Sequence, residues 1–278
     1  MVTQESNFEH VKSKMKISAI VVGFNEGHLL SACLKSLSFC DEINYYDLGS
    51  KDNSLETAKG AGANIFKTKL EPYVEIIHSK YIPKLKNDWI LFIDPDEQIS
   101  DTLVEQITKL NKLLTEDPKI GCISVPIEFY FKQRSLKGTP WGYNNYRILI
   151  AHKGRFIFGK DVHSGRVLID GYKNHSIKRD NQNVIHHFWM DSYKNLFKKH
   201  LRYLKTEGVT RFNKGHRTTI NNVVLGSLKS FKYAFYHKKG YLDGFLGFFL
   251  SLFWVWYQTS AEISLLKHQQ KGLDKISK

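Results

Sequence analysis

Five apolar residues, Trp89-Ile90-Leu91-Phe92-Ile93, run without a break into Asp94-Pro95-Asp96-Glu97. A short unbroken apolar run is the signature of a strand buried on both faces, as in a parallel sheet. Pro95 has no N–H to give to a sheet ladder, so the strand must end there. The acids are therefore expected at the carboxyl end of a central strand, the edge where open α/β sheets bind their ligands. Two aspartates on a stiff turn suit a hard divalent cation, Mg²⁺ or Mn²⁺, shared with substrate phosphates. Taken alone, Asp-X-Asp is equally a solvated acidic turn. The rest of the chain has to supply a nucleotide site before the first reading gains over the second.

The preceding residues repeat the pattern. Ile17 to Gly23 is a second buried strand, broken by Phe24-Asn25-Glu26-Gly27. Leu29, Leu30, Cys33, Leu34 and Leu37 then fall at helical spacing. A third strand, Ile43 to Tyr46, ends in Asp47-Leu48-Gly49-Ser50-Lys51-Asp52-Asn53-Ser54, a loop dense in turn and N-cap residues. A helix through Ala58, a short strand from Ala63 to Phe66 and a helix from Val74 to Leu85, interrupted near Pro83, lead to the Trp89 strand. A helix carrying Leu103, Val104, Ile107, Leu110 and Leu114 follows, then an aromatic strand from Gly121 to Phe131. This alternation predicts an α/β fold with a mainly parallel sheet and helices on both faces. From Lys132 to Asn183 the strands shorten (Tyr146 to Ala151, Arg155 to Phe158, Arg166 to Ile169), as expected of a mixed sheet with long, acceptor-facing loops. The expected organisation is a polar tail over 1–15, a catalytic domain over 16–190 with its nucleotide half at 16–131 and its acceptor half at 132–190, and a basic helical extension over 191–278.

Charge is concentrated in that extension. The 278-residue chain carries a formal +14, and Lys194 to Lys239 holds twelve Lys/Arg against the single acid Glu207. Such a block implies an anionic partner. It is followed by Gly244 to Tyr257, 14 residues without a charge and rich in Trp and Phe. That is short of the roughly 20 residues a spanning helix needs. With Trp254, Trp256 and Tyr257 clustered behind a polybasic segment, the apolar helix over 241–260 is expected at a membrane interface; a core or dimer helix is the alternative. Three cysteines, Cys33, Cys40 and Cys122, show no metal spacing and read as reduced thiols. The polar Met1 to Lys16 segment lacks an apolar stretch, which predicts no secretory signal. Together these features predict a cytoplasmic protein held peripherally on the inner face of the cell membrane.

Three loops should thus converge on one sheet edge, each suited to part of a nucleoside diphosphate. Phe24 can lie against a base, Asp47 can accept from a base N–H or a ribose hydroxyl, and Asp94 and Asp96 can hold the ribose and a cation. Neither Gly-X-Gly-X-X-Gly nor Gly-Lys-Ser/Thr is present, which excludes a dinucleotide fingerprint and an ATPase phosphate cradle. The three motifs Ile20-Val21-Val22-Gly23-Phe24-Asn25-Glu26, Asp47 to Ser54 and Trp89 to Glu97 resemble those of the inverting GT-A glycosyltransferases of the large family two. The lipopolysaccharide-core β-glucosyltransferase branch is the most similar. Val162-His163, His187-Phe188-Trp189 and Gly240-Tyr241-Leu242-Asp243-Gly244 add weaker likenesses.

The resemblance implies a Rossmann-like GT-A fold and transfer of a sugar from a nucleotide-sugar donor, UDP-linked, to a glycan or glycolipid acceptor. It implies that Asn25, Glu26 and Asp47 line the nucleotide pocket, that Asp94 binds the ribose side, that Asp96 ligates Mg²⁺ or Mn²⁺, and that His187 lies near the metal or pyrophosphate. His187 could equally be a packed aromatic-cluster histidine. The chain departs from the family twice. Where an arginine often faces the diphosphate it has His78, with Lys80 close by. Where that branch often reads Val-His-Glu it has Val162-His163-Ser164. An inverting transfer needs a base for the acceptor hydroxyl proton. Asp161 and His163 are the first candidates for it, Asp191 and Glu97 the others. The rival expectations are a catalytically silent nucleotide-binding scaffold and a basic nucleic-acid-binding protein. The apolar run and the lack of a nucleic-acid motif speak against nucleic acid.

Overall fold

The computed structural model describes residues 15–159, 166–180 and 182–276. They fall into two compact units, Met1–Pro126 with Tyr146–Ile185, and Ile127–Asn145 with His186–Lys278. The chain begins with the expected alternation: β1 (Ile17–Gly23), α1 (Gly27–Lys35), β2 (Glu42–Asp47), α2 (Ser54–Gly60), β3 (Asn64–Lys67), α3 (Val74–Tyr81) and β4 (Trp89–Ile93). Then come β5 (Glu97–Ile99), α4 (Asp101–Lys109), α5 (Asn111–Glu116) and β6 (Ile120–Phe131). The one helix expected through Leu110 is two, because Leu110 N–H turns back to the Ile107 carbonyl (3.1 Å) and tightens the chain there. After β7 (Arg134–Ser135) and α6 (Thr139–Gly142) come β8 (Asn145–His152), β9 (Phe156–Phe158), β10 (Arg166–Leu168), β11 (Lys173–Ser176) and β12 (Ile185–Met190). Three helices close the described chain: α7 (Tyr193–Asn213), α8 (Ile220–Phe231) and α9 (Gly244–Ile276).

In the first unit the strands lie in the order β3-β2-β1-β4-β8-β6. The first four are parallel, with Gly23 opposite Asp47 and Val21 opposite Ile93. β8 then runs antiparallel to β4, pairing Trp89 with His152 and Leu91 with Ile150. A mainly parallel sheet continued by a mixed part is the layout read from the sequence. β1 is buried along its whole length. Its alternate residues Ile20 and Val22 join Phe92, Ile77, Ile82, Cys122 and Phe156 in one core. This burial on both faces is why these strands read as continuous apolar runs.

In the second unit a separate core gathers Phe131, Leu136, Trp189, Met190 and Leu196 with Leu246, Leu250 and Phe253 of α9. The apolar run is therefore part of one 33-residue helix, and its inward side is core. The helix expected at a membrane interface over 241–260 thus has one side in the core, as in the alternative read from the sequence, once α7 and α8 are beside it, while Phe245, Phe248 and Leu252 on it stay exposed. No helix among the described residues is long and apolar enough to cross a membrane. The Gly240 to Gly244 turn also has a structural use. The buried Asp243 carboxylate accepts from the backbone N–H groups of Lys137 (2.9 Å) and Gly138 (2.7 Å), and its carbonyl accepts from Arg134 Nη2 (3.1 Å). A Cβ on Gly138 would lie 2.0 Å from the Lys239 carbonyl oxygen, so only glycine allows this approach.

Arg211 of the basic block is not free to meet a partner. It binds Glu207 (2.9 Å) and, on α9, Glu262 (2.7 Å) and Gln258 (2.9 Å). The block thus contributes at least one residue to internal packing.

Candidate active site

Register alone brings the β1, β2 and β4 ends together, since Gly23 pairs with Asp47 and Val21 with Ile93. Gly23 is the joint between them. A Cβ there would lie 2.8 Å from the Tyr45 hydroxyl and 3.2 Å from Pro95 Cγ, so a larger residue would displace the Tyr45 ring and crowd the Asp94–Asp96 turn.

The Phe24 and Asp47 loops are stitched to each other. Asn25 sits at φ 56°, a left-handed conformation that asparagine tolerates. Its N–H donates to Ser50 Oγ (2.9 Å), and its Oδ1 accepts from Lys51 N–H (2.8 Å). Glu26 N–H donates to Ser54 Oγ (3.3 Å) and Gly27 N–H to Asp52 Oδ2 (2.9 Å). Ser54 Oγ donates to Asp52 as well, and that bond first, then the one from Gly27 N–H, holds the Asp52 carboxyl below the usual carboxylate range. Asp47 is 2 % exposed, and its carboxylate accepts from Gly49 N–H (3.1 Å) and Ser50 N–H (3.2 Å). Of the residues expected to line a nucleotide, Asn25 and Asp47 therefore shape the loops. Phe24, 41 % exposed, presents its ring to solvent.

At the β4 end the three acids divide. Glu97 is 1 % exposed, accepts from Asp94 N–H (3.0 Å) and pairs with Arg147 of β8. That commitment removes Glu97 from the candidate bases. Arg147 also reaches Asp94 Oδ2 (3.7 Å) and donates to the Phe92 carbonyl (3.2 Å). Burial works against its charge, but Glu97, Asp94 and Asp96 more than offset it and raise its pKa. The Asp94 side chain is 49 % exposed and Asp96 is partly exposed, so both can be reached from solvent. Negative charge is dense here. The Cys33 thiol, whose Sγ lies 3.5 Å from the Asp94 carbonyl, is pushed up by burial and then by Glu97, Asp94, Asp96 and Glu26.

The cation expected beside His78 is found elsewhere in the chain. His78 is buried, whereas Lys80 is exposed, with its Nζ over the Tyr81 ring (5.1 Å). Arg166 Nη2 lies 3.1 Å from His78 Nδ1 and 3.6 Å from Glu75, with its guanidinium over Phe92 (5.0 Å). Sequence reasoning missed both arginines. Arg147 had a usable signal, a lone charge inside the apolar run of β8. Arg166 had none, since it is 88 residues from the His78 it meets.

Burial, then Arg166, lowers the His78 pKa to about 3, with Asp94 opposing and Arg147 assisting. The unfolded chain binds this proton near pH 6.5, so stability is fully present above that value and is lost as pH falls toward 3. From pH 7 to pH 5 this one group should cost about 2 kcal/mol. Urea unfolding of wild type and His78→Gln at both pH values checks this: the variant should show the flatter dependence. Equal pH dependence in the two proteins would refute it.

The remaining sequence candidates are Asp161, His163, His187 and Asp191. Asp161 and His163 fall outside the described residues. His187 belongs to the second unit and packs on Phe129 (4.6 Å between ring centroids). Asp191, also in that unit, accepts from Asn195 Nδ2 (2.7 Å) at the start of α7. Among the described residues no group of three or more His, Cys, Asp or Glu is placed to hold a metal ion by itself. Asp94 and Asp96 nevertheless form a hard-oxygen donor pair of the kind that holds Mg²⁺ or Mn²⁺ together with substrate phosphates.

No family model matches the chain. It is 33% identical over 95 residues to an uncharacterized glycosyltransferase of Rickettsia bellii, covering 33% of this chain and 31% of the relative. It is 26% identical over 159 residues to the lipopolysaccharide core biosynthesis glycosyltransferase LpsC of Rhizobium meliloti, covering 55% and 58%. The matches thus span less than two thirds of these curated relatives. Among solved structures, glucosyl-3-phosphoglycerate synthase of Mycobacterium tuberculosis, in complex with Mn²⁺, UDP and glucosyl-3-phosphoglycerate, is similar at 16% identity and TM-score 0.40, over 63% of this chain and 72% of that one. The resemblance carried by the sequence motifs is therefore shared with relatives that are named glycosyltransferases.

Proposed function

We propose that the first unit binds a nucleotide-sugar, UDP-linked, and transfers its sugar with inversion to a hydroxyl of a lipid-anchored or cell-surface glycan such as lipopolysaccharide core. The observation that carries this reading is the convergence of three loops at one parallel-strand edge, with Asp94 and Asp96 reachable from solvent while Glu97 is held by Arg147. Phe24 stacks on the base, Asp94 takes the ribose side, and Asp96 with Asp94 would hold Mg²⁺ or Mn²⁺. When bound, the cation neutralises the diphosphate and acts as a Lewis acid toward it as leaving group. Arg166, beside His78, supplies the fixed positive charge for the phosphates that Lys80 does not. The attacking acceptor oxygen forms its bond to C1 as the C1–O bond to the diphosphate breaks, and Asp161 or His163 takes the hydroxyl proton. Similarity to a lipopolysaccharide core glycosyltransferase supports a membrane-proximal acceptor. It fits a protein working peripherally at the inner, cytoplasmic face of the cell membrane.

The test is release of free nucleotide from a panel of nucleotide-sugars, with and without EDTA. Release with one donor class, abolished by EDTA and restored by Mn²⁺ or Mg²⁺, is the expected result. Calorimetric binding of UDP without turnover on any donor or lipid-linked acceptor would instead favour a silent nucleotide-binding scaffold.

A further inference from the structure

Helix α8 has its amphipathic pattern reversed. Val223, Gly226, Ser227 and Ser230 face inward, with Ser227 Oγ 2.8 Å from Thr259 Oγ1 of α9. The outward side carries Ile220, Val224, Leu225 and Leu228, all more than half exposed, Leu228 at 70 %. Spacing of i, i+4, i+5 and i+8 puts these four on one stripe. A water-soluble helix would present the opposite arrangement. At the C-terminal end of α8, Phe248 of α9 meets Phe231 (6.1 Å) and Phe235 (6.0 Å). Phe245, 82 % exposed, Phe248 and Leu252 share one side of α9 and extend the apolar surface there. An exposed apolar surface of this kind marks an interaction site.

The charge around it selects the partner. From Lys214 to Lys239 there are six Lys/Arg and no Asp or Glu. Lys214, Lys229, Lys232 and Lys239 are exposed. We infer that the outward stripe of α8, with Phe245, Phe248 and Leu252 of α9, is a docking face for an anionic lipid bilayer. The apolar side chains enter the acyl boundary and the lysines meet the headgroups. A second copy of this chain would bring the same lysines against each other, and the repulsion disfavours it. The inference deepens the peripheral membrane location of the proposed function by naming the surface that makes it, and it does not depend on the catalytic reading. It moves the contact from the half-buried Trp254-to-Tyr257 region to α8 and the exposed side of α9.

Flotation of the full chain with phosphatidylglycerol–phosphatidylcholine vesicles, against pure phosphatidylcholine, tests it. Wild type should bind only the anionic vesicles, less so in high salt. Val224→Ser/Leu228→Ser, both at exposed sites, should weaken binding about tenfold or more. Lys229→Glu/Lys232→Glu should weaken it and reduce the salt dependence. Undiminished binding by the serine variant, or no binding by wild type, would overturn the assignment. So would self-association in sedimentation velocity without lipid that the serine variant abolishes. Nucleotide release by the serine variant in solution, without vesicles, should equal that of wild type. If wild type docks but releases no nucleotide from any donor, the catalytic reading fails and the docking face stands.

Discussion

Replacing Arg147 by methionine should destabilise the protein by about 3–5 kcal/mol, the usual cost of leaving one member of a buried ion pair alone. Glu97 is almost wholly buried, and Arg147 is the cation paired with it. The same guanidinium donates to the Phe92 carbonyl at the end of β4 and approaches Asp94. Its loss would leave a buried carboxylate and an uncapped strand end in one place. Urea unfolding measures the size of the effect. Arg147→Met/Glu97→Gln should recover much of the loss, because a neutral pair carries no ionic desolvation penalty. A single variant within about 0.5 kcal/mol of wild type, the spread of ordinary surface changes, would show that the pair does not hold this turn. Because Asp94 and Asp96 lie on the turn, the single variant should also lose UDP affinity under conditions where it is still folded.

Asp96→Asn should lower nucleotide release about a hundredfold or more while leaving the unfolding midpoint near that of wild type. Asparagine keeps the shape of the side chain and removes the charge. Asp96 is partly exposed, so folding has little to lose. The paired readout is the dependence of UDP binding on Mn²⁺ in calorimetry, which the variant should lack. Turnover equal to wild type, or unchanged cation dependence, would remove Asp96 from the proposed role.

The core strands were legible because burial on both faces makes them mostly apolar, with buried Ser18 and Asn44 as exceptions, and Pro95 marks where the last one stops. Parallel pairing then places Phe24, Asp47 and Asp94 at one edge, so the location of the site followed from strand order. The uses of its residues did not. Asp47 and Asn25 have the composition of ligand groups, yet their polar atoms bind neighbouring loop backbone. His78 looked like a weakened substitute for arginine, and Arg166, remote in sequence, sits against it. The apolar run of α9 looked like an interfacial segment because its own residues do not disclose which side α7 and α8 will cover. Helix α8 escaped notice because its inner side is small and polar.

Local physics in the chain determined which segments are strands, where each one ends and which acids stand at those ends. These depend on apolar runs, on proline and on turn residues, all effects of near neighbours in sequence. Tertiary structure alone decided that Glu97 is held by Arg147 while Asp94 and Asp96 stay within reach of solvent, that Arg166 lies beside His78, and that the bare apolar side chains are one stripe of α8 with Phe245, Phe248 and Leu252 of α9. Ion pairing and burial depend on which distant segments arrive, and in one chain that is settled only when the sheet and helices have packed.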